Sequence, residues 1–319
     1  MQAAQRGHRV DADMIGQVRR FNRTVTLRAG ALRDEFLARD RPLGQARVLW
    51  EIGPDGCDVR RLRARLDLDS GYLSRLLRAL EADGLIAVGP SPRDRRVRTA
   101  RLTRAGLAER AELDRRSDEA AAALLGPLSA GQRGRLMAAM ADVERLLLAS
   151  AIQVGACDPR HPDARFCLRA YFAELADRFE SGFDPARSIP AEDDELTPPA
   201  GLLLVARLHG QPAGCAALKF HQDQFHDGQP AEIKRMWVAP EARGLGLGRR
   251  LLKEVEARAA DRGVTVLRLE TNRALTEAIG LYRGAGYREV PAFSPERYAH
   301  HWFEKVLTRP TPAGSGPQR

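Results

Sequence analysis

The chain has 319 residues, enough for two domains of ordinary size, and carries 51 lysines and arginines against 42 aspartates and glutamates, a net charge of +9. It contains no run of about 18 apolar residues and no signal-peptide core, so neither a membrane span nor a signal peptide is expected. Its 4 scattered cysteines form no Cys-x-x-Cys pair, which favours a reducing cytoplasm and argues against a structural metal or a disulfide.

The excess positive charge lies in the first half of the chain. Residues 1–150 hold 28 arginines, no lysine and 20 acidic residues, a net +8, whereas residues 151–319 carry only +1. Residues 60–104 alone hold 12 arginines against 5 acidic residues, a net +7. Such a short basic stretch indicates a polyanionic partner for the first half only.

The helices predicted in the first half lead to one with a polar, basic face. A long helix is predicted at residues 11–37, and shorter ones at residues 43–51 and 59–66. Ser70 is then placed to N-cap a helix that ends at Ala82. The apolar residues of that helix recur at the spacing of one buried stripe: Leu73, Leu76, Leu77 and Leu80. The opposite face carries Gly71, Ser74, Arg75 and Arg78, with Tyr72 at its N-terminal flank.

A β-hairpin is predicted after this helix, with strands at residues 85–88 and 97–102 around an arginine-rich turn. Helices followed by such a hairpin are typical of a winged helix-turn-helix, whose third helix enters the major groove of DNA while the wing reaches phosphates or the minor groove. The predicted DNA contacts are Ser70, Gly71, Tyr72, Ser74, Arg75, Arg78, Arg93, Asp94, Arg95, Arg96 and Arg98. Arg93, Arg95 and Arg98 suit nonspecific phosphate contact better than base readout. Partial burial against the wing explains Tyr72 equally well.

This basic stretch resembles the MarR family of regulators. The matching segments are Leu-Glu-Ala-Asp-Gly-Leu-Ile at residues 80–86, the Asp94-Arg95-Arg96 wing, and Leu102-Thr103-x-x-Gly106. The resemblance implies that Asp94 and Arg96 brace the hairpin and place a neighbouring arginine. The wing entry, Ser91-Pro92, is more compact than the lysine-containing entry usual in the family, so which arginine reaches a groove is left open.

Two long helices that follow the wing indicate a dimer. They are predicted at residues 103–125 and 129–148, and Ser129 with Gln132 forms a capping box for the second. The second helix carries an apolar stripe with no partner inside a small winged domain: Leu136, Met140, Val143 and Leu147. The MarR resemblance implies dimerisation through such helices, and two-fold symmetry would place two recognition helices about one DNA turn apart. Residues 1–148 are therefore predicted to form a homodimeric domain that binds double-stranded DNA.

From residue 149 the pattern becomes that of an α/β domain. Strands and helices alternate, with predicted elements at residues 152–154, 163–179, 202–208, 212–220, 231–238, 267–272 and 301–307. The predicted fold class is thus two domains, a mainly α winged helix-turn-helix followed by an α/β domain with a mixed central sheet at residues 149–308. Residues 309–319 are rich in proline and glycine and are predicted to be a disordered tail.

The most informative segment of the second half follows the strand that ends at Val238. Pro240 breaks the strand, an Arg-x-x-Gly-x-Gly loop follows, and an apolar-periodic helix begins. Three glycines at alternate positions let consecutive N–H groups converge at the helix start, where the helix dipole also attracts a pyrophosphate: Gly244, Gly246 and Gly248. Arg243 and Arg249 add positive charge. An ordinary tight strand-to-helix turn is the alternative interpretation.

The order of these elements resembles the GNAT family of N-acetyltransferases. The loop is similar to the family's acyl-CoA loop, and the final helix, Ala278 to Tyr287, carries the family's Tyr-x-x-x-Gly-Tyr ending. The resemblance implies the GNAT acyltransferase fold and acetyl-CoA as the acyl donor. It implies these contacts to the donor: Met236, Trp237, Val238, Arg243, Gly244, Leu245, Gly246, Leu247, Gly248, Arg249, Asn272 and Tyr282.

The chemistry of amine acylation points to particular side chains. A lysine-like amine with a pKa of about 10.4 is only about 0.1% neutral near pH 7.4, so a carboxylate that collects its proton would help. Glu232 matches the glutamate base of one branch of the GNAT family. A structural ion pair with Lys234 or Arg235 explains Glu232 equally well, and Glu270 is a weaker rival for the base.

Three further roles follow from the GNAT resemblance. The backbone N–H near Val238, on a strand splayed from its neighbour, would bind the oxyanion. Tyr282 would protonate the departing thiolate, with packing on the coenzyme arm as its alternative role. Asn272 would contact the pantetheine. The acidic loop Glu192 to Glu195 is either a solvated loop or a flank of the acceptor groove that favours a cationic amine.

Together these features predict a cytoplasmic protein that is both a DNA-binding transcriptional regulator and an acetyl-CoA-dependent N-acetyltransferase acting on an unidentified amine. Two other interpretations stay open. The GNAT-like domain could sense acyl-CoA without turnover, or the winged domain could serve mainly for dimerisation or protein contacts.

Overall fold

A computed structural model describes residues 11–28, 37, 41–91, 94–189, 191–220 and 230–307. The chain forms two compact units, which divide between Leu136 and Met137 inside a long helix. The domain boundary predicted after residue 148 lies near the C-terminal end of that same helix. Arg93 and the predicted tail at residues 309–319 lie outside the described residues. No helix in the described ranges is long and apolar enough to cross a membrane.

The first unit has the architecture predicted for a winged helix-turn-helix. Its elements are α1 (Ala12–Arg28), α2 (Leu43–Ile52), β1 (Cys57–Asp58), α3 (Val59–Leu66), α4 (Ser70–Ala82), β2 (Ile86–Pro90), β3 (Arg98–Leu102) and α5 (Arg104–Leu125), and α6 (Ala130–Ser150) begins in it. The strands form an antiparallel sheet in the order β1-β3-β2. The two-residue strand β1 is too short to leave an alternating pattern in the sequence.

The predicted helix caps hold with one correction. Thr103 accepts a hydrogen bond from the N–H of Gly106 at 3.1 Å, as predicted. Ser129 and Gln132 form the predicted reciprocal capping box. Ser70, however, is the first residue inside α4, and Asp69 is its N-cap, because Asp69 has an extended backbone and its carboxylate accepts from the N–H of Tyr72 at 2.8 Å. The described part of the predicted first helix ends at Arg28.

The core of the first unit forms where the leucine stripe of α4 meets α2. Leu73, Leu76, Leu77 and Leu80 are all buried, as predicted, and they belong to one cluster with Val48 and other residues of α2. Burying such a side chain fully contributes about 1.5–3 kcal/mol. The stripe therefore fixes which face of α4 is left for solvent.

The second unit contains a mixed sheet, as predicted; within the described residues it has seven strands, one more than the sequence predicted. Its elements are β4 (Ile152–Ala156), α7 (Pro162–Arg178), β5 (Gly201–Leu208), β6 (Gln211–Lys219), β7 (Pro230–Val238), α8 (Leu247–Ala260), β8 (Val266–Thr271), α9 (Thr276–Gly284), β9 (Arg288–Val290) and β10 (His301–Val306). The strand order is β4-β5-β6-β7-β8-β10-β9. Only β7 and β8 pair in parallel, and the other neighbours are antiparallel.

The parallel strands β7 and β8 separate before either ends. Their pairing stops at Glu232 opposite Arg268, although β7 continues to Val238. A β-bulge lies on the part of β7 that pairs with β6 but no longer with β8. At the bulge Arg235 has a φ of +54° and the register with β6 shifts. The result is a gap between β7 and β8, which the sequence analysis expected near Val238.

Candidate functional site

The loop between β7 and α8 is an anion cradle. Gly244 and Gly246 have φ values of +79° and +75°, in the left-handed region that favours glycine, and Gly246 is the N-cap of α8. Among the described residues, the backbone N–H groups from Gly244 to Arg249 have no acceptor, whereas Arg250 already donates to Gly246 at 3.0 Å. Six free donors at the positive end of a helix suit a phosphate group.

The two arginines of the cradle are placed differently. The Arg243 guanidinium donates to the Val238 carbonyl at 3.2 Å and pairs with Glu174 of α7 at 2.5 Å. Glu174 also accepts from the indole N–H of Trp237 at 2.9 Å. Arg243 thus braces the loop against α7, while Arg249 lies exposed on the first turn of α8.

A cavity of about 570 Å³ extends from this cradle along the end of β7 to α9 and α7. Ten of the predicted donor-binding residues line it: Met236, Trp237, Val238, Arg243, Gly244, Gly246, Leu247, Gly248, Arg249 and Tyr282. Leu245 does not, because its side chain packs against the core. Tyr171 and Leu175 of α7 also line the cavity, and this wall was not predicted from the sequence.

A smaller pocket of about 90 Å³ adjoins this cavity. Six residues line both: Tyr171, Leu175, Met236, Leu275, Ala278 and Tyr282. Aromatic rings form one wall of the smaller pocket, with the Phe183 ring centroid 4.8 Å from that of Tyr298 and 5.8 Å from that of Phe179. The larger cavity and the smaller pocket therefore meet at one junction, which a donor and an acceptor could enter from different sides.

Tyr282 lies at this junction. Only 6% of its side chain is exposed, and its hydroxyl donates to the Met236 sulfur at 3.7 Å. Burial, together with the nearby Tyr171, raises the pKa of Tyr282 above its ordinary value, so the phenol keeps its proton at neutral pH. The side chain is thus a proton donor that already points at a sulfur atom.

The backbone of Val238 faces the gap between β7 and β8. Ala239 donates its N–H to Ala213 on β6, so the neighbouring Val238 directs its N–H and carbonyl to the opposite edge. The Val238 carbonyl receives Arg243 there, and β8 no longer pairs at this position. The Val238 N–H can therefore donate to a carbonyl oxygen at the junction.

Lys234 joins the two candidate bases. Its ammonium lies 3.0 Å from Glu232 and also contacts Glu270 on β8. Burial alone would lower the pKa of Lys234, but the two carboxylates outweigh it and raise that pKa. Glu270 lines the smaller pocket and accepts from the Ser294 hydroxyl, whereas Glu232 lines neither cavity. Glu270, the weaker candidate for the base in the sequence analysis, therefore lies on the wall of the smaller pocket.

Asn272 lines the smaller pocket instead of the larger cavity. Its amide donates to the Tyr298 carbonyl at 2.7 Å and accepts from the N–H of Ala274 at 2.9 Å. The side chain is 7% exposed and holds the segment that carries Tyr298. A contact with the donor's pantetheine stays a prediction.

The acidic loop lies away from the pocket. Asp193 and Asp194 pair with Arg165 and Arg160 at 2.5 Å and 2.7 Å, and Glu195 pairs with Lys219 at 2.7 Å. None of these three acids lines the smaller pocket, and a flank of the acceptor groove stays a prediction. No group of His, Cys, Asp and Glu side chains within the described residues could hold a metal ion.

The polar face of α4 in the first unit is open to solvent. All of its predicted DNA-contacting residues are exposed: Ser70, Gly71, Tyr72, Ser74, Arg75 and Arg78. The Arg75 guanidinium lies 5.7 Å from the centroid of the Tyr72 ring. Tyr72 is 39% exposed, and its hydroxyl end packs close to Gly44 of α2. The partial burial expected for Tyr72 is therefore against α2 and not against the wing.

The wing is braced by its aspartate. Asp94 accepts from the N–H of Arg96 at 3.0 Å through its side chain and from the N–H of Val97 at 3.0 Å through its carbonyl. Arg95, Arg96 and Arg98 are exposed. Within the described ranges no carboxylate pairs with these three or with the two arginines of α4, whereas Arg47, Arg65, Arg115 and Arg116 of the same unit are all paired. Among the described residues, exposed arginines without a carboxylate partner therefore lie on both α4 and the wing.

Two family matches cover the two units. Residues 168–287 match the Acetyltransferase (GNAT) family, and residues 40–97 match the MarR family. The first match contains β7, the cradle, α8, β8 and α9. The second runs from α2 to the wing.

Individual relatives of similar sequence are acetyltransferases by name. The chain is 37% identical over 123 residues to an "IAA acetyltransferase" of Azospirillum brasilense, which covers 38% of this chain and 78% of the relative. It is 30% identical over 224 residues to a "Mycothiol acetyltransferase" of an Arthrobacter species, covering 65% of this chain and 68% of that one. A solved acetyltransferase of the GNAT family from Staphylococcus aureus aligns with a TM-score of 0.41 at 16% identity, over 50% of this chain and all of its own.

Proposed function

We propose that this chain, which belongs to the GNAT family of acetyltransferases and carries a MarR-family domain before the acetyltransferase domain, transfers acetyl from acetyl-CoA to an amine. We also propose that its first unit binds double-stranded DNA as a homodimer. The observation that carries the first part is the junction of two cavities below an anion cradle, with Tyr282 at the junction and Val238 lining the larger cavity beside it. The second part depends on the uncompensated arginines of α4 and the wing.

The cradle is suited to the coenzyme's diphosphate. Its N–H groups from Gly244 to Arg249 would donate to the phosphate oxygens, and Arg249 would add charge. The pantetheine arm would follow the larger cavity to Met236 and Tyr282. The thioester would then lie at the junction with the smaller pocket, where the acceptor amine enters.

Three groups of this chain act on the reacting atoms in the proposed mechanism. As the amine nitrogen bonds to the thioester carbon, the Val238 N–H stabilises the negative charge on the carbonyl oxygen. Glu270 takes the proton of the amine, directly or through water, while Glu232 and Lys234 hold its carboxylate in place. When the carbon–sulfur bond breaks, Tyr282 gives its proton to the departing thiolate. Acetylated amine and free coenzyme thiol are the products.

An amine library tests this proposal. Purified protein is incubated with acetyl-CoA and the library, and mass spectrometry and thiol release report the products. Acetylated amines with matching thiol release are expected. If calorimetry shows coenzyme binding but no amine is acetylated, the chain would instead sense acyl-CoA without turnover.

A glycine pair tests the cradle. Gly246→Ala and Gly263→Ala introduce the same side chain at φ values of +75° and +79°, with no atom within 4 Å of either added Cβ. Both should lose a similar stability, roughly 1–2 kcal/mol. Only Gly246→Ala should also weaken acetyl-CoA binding, by about tenfold or more, because only that residue lies in the cradle. Calorimetric titration and thermal unfolding measure the two effects, and equal coenzyme affinity in both variants would exclude the cradle.

Two unpartnered helices support the homodimer. Neither α1 nor α6 has a buried residue, although they span 17 and 21 residues. Apolar side chains on both are largely exposed: Met14, Val18, Val25, Met140 and Leu147. A helix with such an apolar face normally buries it against another helix. Sedimentation of the full chain should give twice the monomer mass.

Arginine variants test DNA binding. Arg75→Ala and Arg78→Ala should each lower affinity for duplex DNA by about tenfold, and a variant that loses a phosphate contact should reduce the slope of log affinity against log salt by about one. Arg115→Ala is the matched control, because it removes the same charge from a residue already paired with Glu112 and Glu119. Gel-shift titrations at several salt concentrations provide the measurement. Affinity that is independent of salt, or lost equally in the control, would contradict the proposed interface.

A further inference from the structure

We propose that the smaller pocket accepts an amine that also carries a carboxylate, and that Arg235 binds this carboxylate. The inference rests on the proposed acetyltransferase function and names the substrate class of that site, a small amino acid or a related compound with an apolar side chain. The inference follows from the charged side chains that line the pocket and from the hydrogen-bond and ion-pair partners that each of them already has within the chain.

Four charged side chains line the smaller pocket, and two of them form one ion-paired cluster. The ammonium of Lys234 contacts Glu232 and Glu270. Glu270 also accepts from the Ser294 hydroxyl. Lys234 is therefore engaged by two carboxylates of the chain and offers no free positive charge to a ligand.

The third charged side chain, Glu296, is occupied by the chain itself. One of its oxygens accepts from the Ser188 hydroxyl at 2.9 Å and from the N–H of Ile189 at 2.6 Å. The other accepts from the N–H of Tyr298 at 3.1 Å. Glu296 thus fixes two segments of the pocket wall, and three of its acceptor positions are used by the chain itself.

Arg235 is the fourth and is not compensated. No carboxylate pairs with its guanidinium in the part of the chain that the structure describes, and its Nε is buried without a hydrogen-bond acceptor. Its guanidinium carbon lies 4.8 Å from the ring centroid of Phe172 and 5.9 Å from that of Tyr171. The aromatic faces support the positive charge and the guanidinium donates to the Tyr171 hydroxyl, but the Nε donor is left unsatisfied. A carboxylate is the group that would satisfy both the charge and the donors.

The position of Arg235 limits the distance between the carboxylate and the amine of the acceptor. Arg235 sits in the bulge of β7 and precedes Met236, which lines both cavities. Tyr171, beside the guanidinium, also lines both. A carboxylate on Arg235 is therefore held next to the junction where acetyl transfer would occur, so a small amino acid could place both of its groups.

The remaining walls suit an apolar side chain. Phe179, Phe183 and Tyr298 form the aromatic side of the pocket, and Ile189 and Leu275 also line it. The pocket volume of about 90 Å³ favours a compact acceptor. A polyamine or other multiply cationic acceptor would meet the unpaired positive charge of Arg235, while Glu270 and Glu296 already accept hydrogen bonds from the chain itself.

Acid and amide pairs of one amine test the inference. Leucine, methionine and phenylalanine are compared with their carboxamides, which keep the shape and lose the negative charge. Because the carboxamide also lowers the pKa of the amine, kcat/KM is compared per neutral amine, and the wild-type value is expected to be roughly 10- to 100-fold higher for the acids, the range of a charge-assisted hydrogen-bonded pair. Arg235→Gln should remove this preference by lowering kcat/KM for the acids, and Arg235→Lys should retain part of it. If wild-type protein handles amides as well as acids, the inference is overturned.

Arg262→Gln is the matched control. Its guanidinium also lies over an aromatic ring, 4.7 Å from the centroid of Phe220, but it is exposed and lines neither cavity. This variant should keep the wild-type preference for acids. A preference lost equally in Arg262→Gln would show that the effect does not come from the pocket.

A binding measurement separates this inference from the proposed catalysis. Calorimetry of coenzyme-loaded protein with N-acetylleucine and N-acetylleucinamide reports carboxylate recognition without turnover. Tighter binding of the acid that disappears in Arg235→Gln supports the inference even if no amine is acetylated, in which case only the proposed function fails. Equal binding of both compounds to wild type overturns the inference, even if acetyl transfer occurs.

Discussion

Replacing Tyr282 by phenylalanine is expected to lower kcat by roughly 100-fold or more, because a positioned general acid contributes about 10²–10⁴-fold. Affinity for acetyl-CoA should stay nearly unchanged. The ring itself remains, packed against Tyr287 and Phe303 with centroids 6.0 Å apart in each case. Among the described residues the hydroxyl donates only to the Met236 sulfur, at 3.7 Å, so its removal should cost less than about 1 kcal/mol of stability.

The pH dependence gives this prediction a second readout. Burial raises the pKa of Tyr282, so the phenol stays protonated as pH rises through the range in which a free tyrosine would ionise. Loss of the acid should therefore not limit wild-type kcat up to a pH of about 10. A fall in kcat with a lower midpoint would have to come from another group.

Tyr287→Phe is the control for Tyr282→Phe. It makes the same change on a buried neighbouring ring that lines neither cavity. Its kcat should stay within about threefold of wild type, since it provides no proton at the junction. If Tyr282→Phe instead weakens turnover and acetyl-CoA affinity equally, Tyr282 packs on the coenzyme arm and another group is the acid.

The features predicted correctly from the sequence are those set by local spacing. The leucine stripe of α4 follows from helical periodicity, and the capping box of Ser129 and Gln132 lies within four residues. The cradle is equally local, because glycines at 244 and 246 supply the left-handed backbone that the turn needs. The prediction of Ser70 as the N-cap of α4 was wrong, and Asp69 is the N-cap. Both residue types can cap a helix, and the sequence does not reveal which of the two has the extended backbone.

The features that could not be predicted depend on distant parts of the chain. The smaller pocket combines Tyr171 of α7 with Tyr298, more than a hundred residues later, and no spacing rule brings them together. The left-handed bulge at Arg235 has no glycine to mark it. The family resemblance favoured Glu232 as the base over Glu270. Which of the two carboxylates faces the pocket depends instead on where β7 and β8 separate, and Glu270 is the one that lines it.

The second large effect is expected from Glu270→Gln. This change keeps the shape of the side chain but removes the proposed base, so kcat/KM at pH 7.5 should fall by roughly 100- to 1,000-fold for an amine with a pKa of about 10. The variant depends on amine that is already neutral, so its kcat/KM should rise about tenfold per pH unit until the pH reaches the pKa of the amine. An amine with a pKa of about 7.5 should be affected much less. Initial rates across pH with the two amines measure both effects.

Glu232→Gln separates catalysis by Glu270 from the stability of the ion-paired cluster. Each variant removes one of the two carboxylates that contact Lys234, whose side chain is 10% exposed, so both should be destabilised, by roughly 3 kcal/mol or less. Only Glu270→Gln should show the steep pH dependence, because Glu232 lines neither cavity. If Glu232→Gln shows the steeper dependence and Glu270→Gln only the lower stability, Glu232 is the base, as the sequence alone suggested, and Glu270 serves to position Lys234.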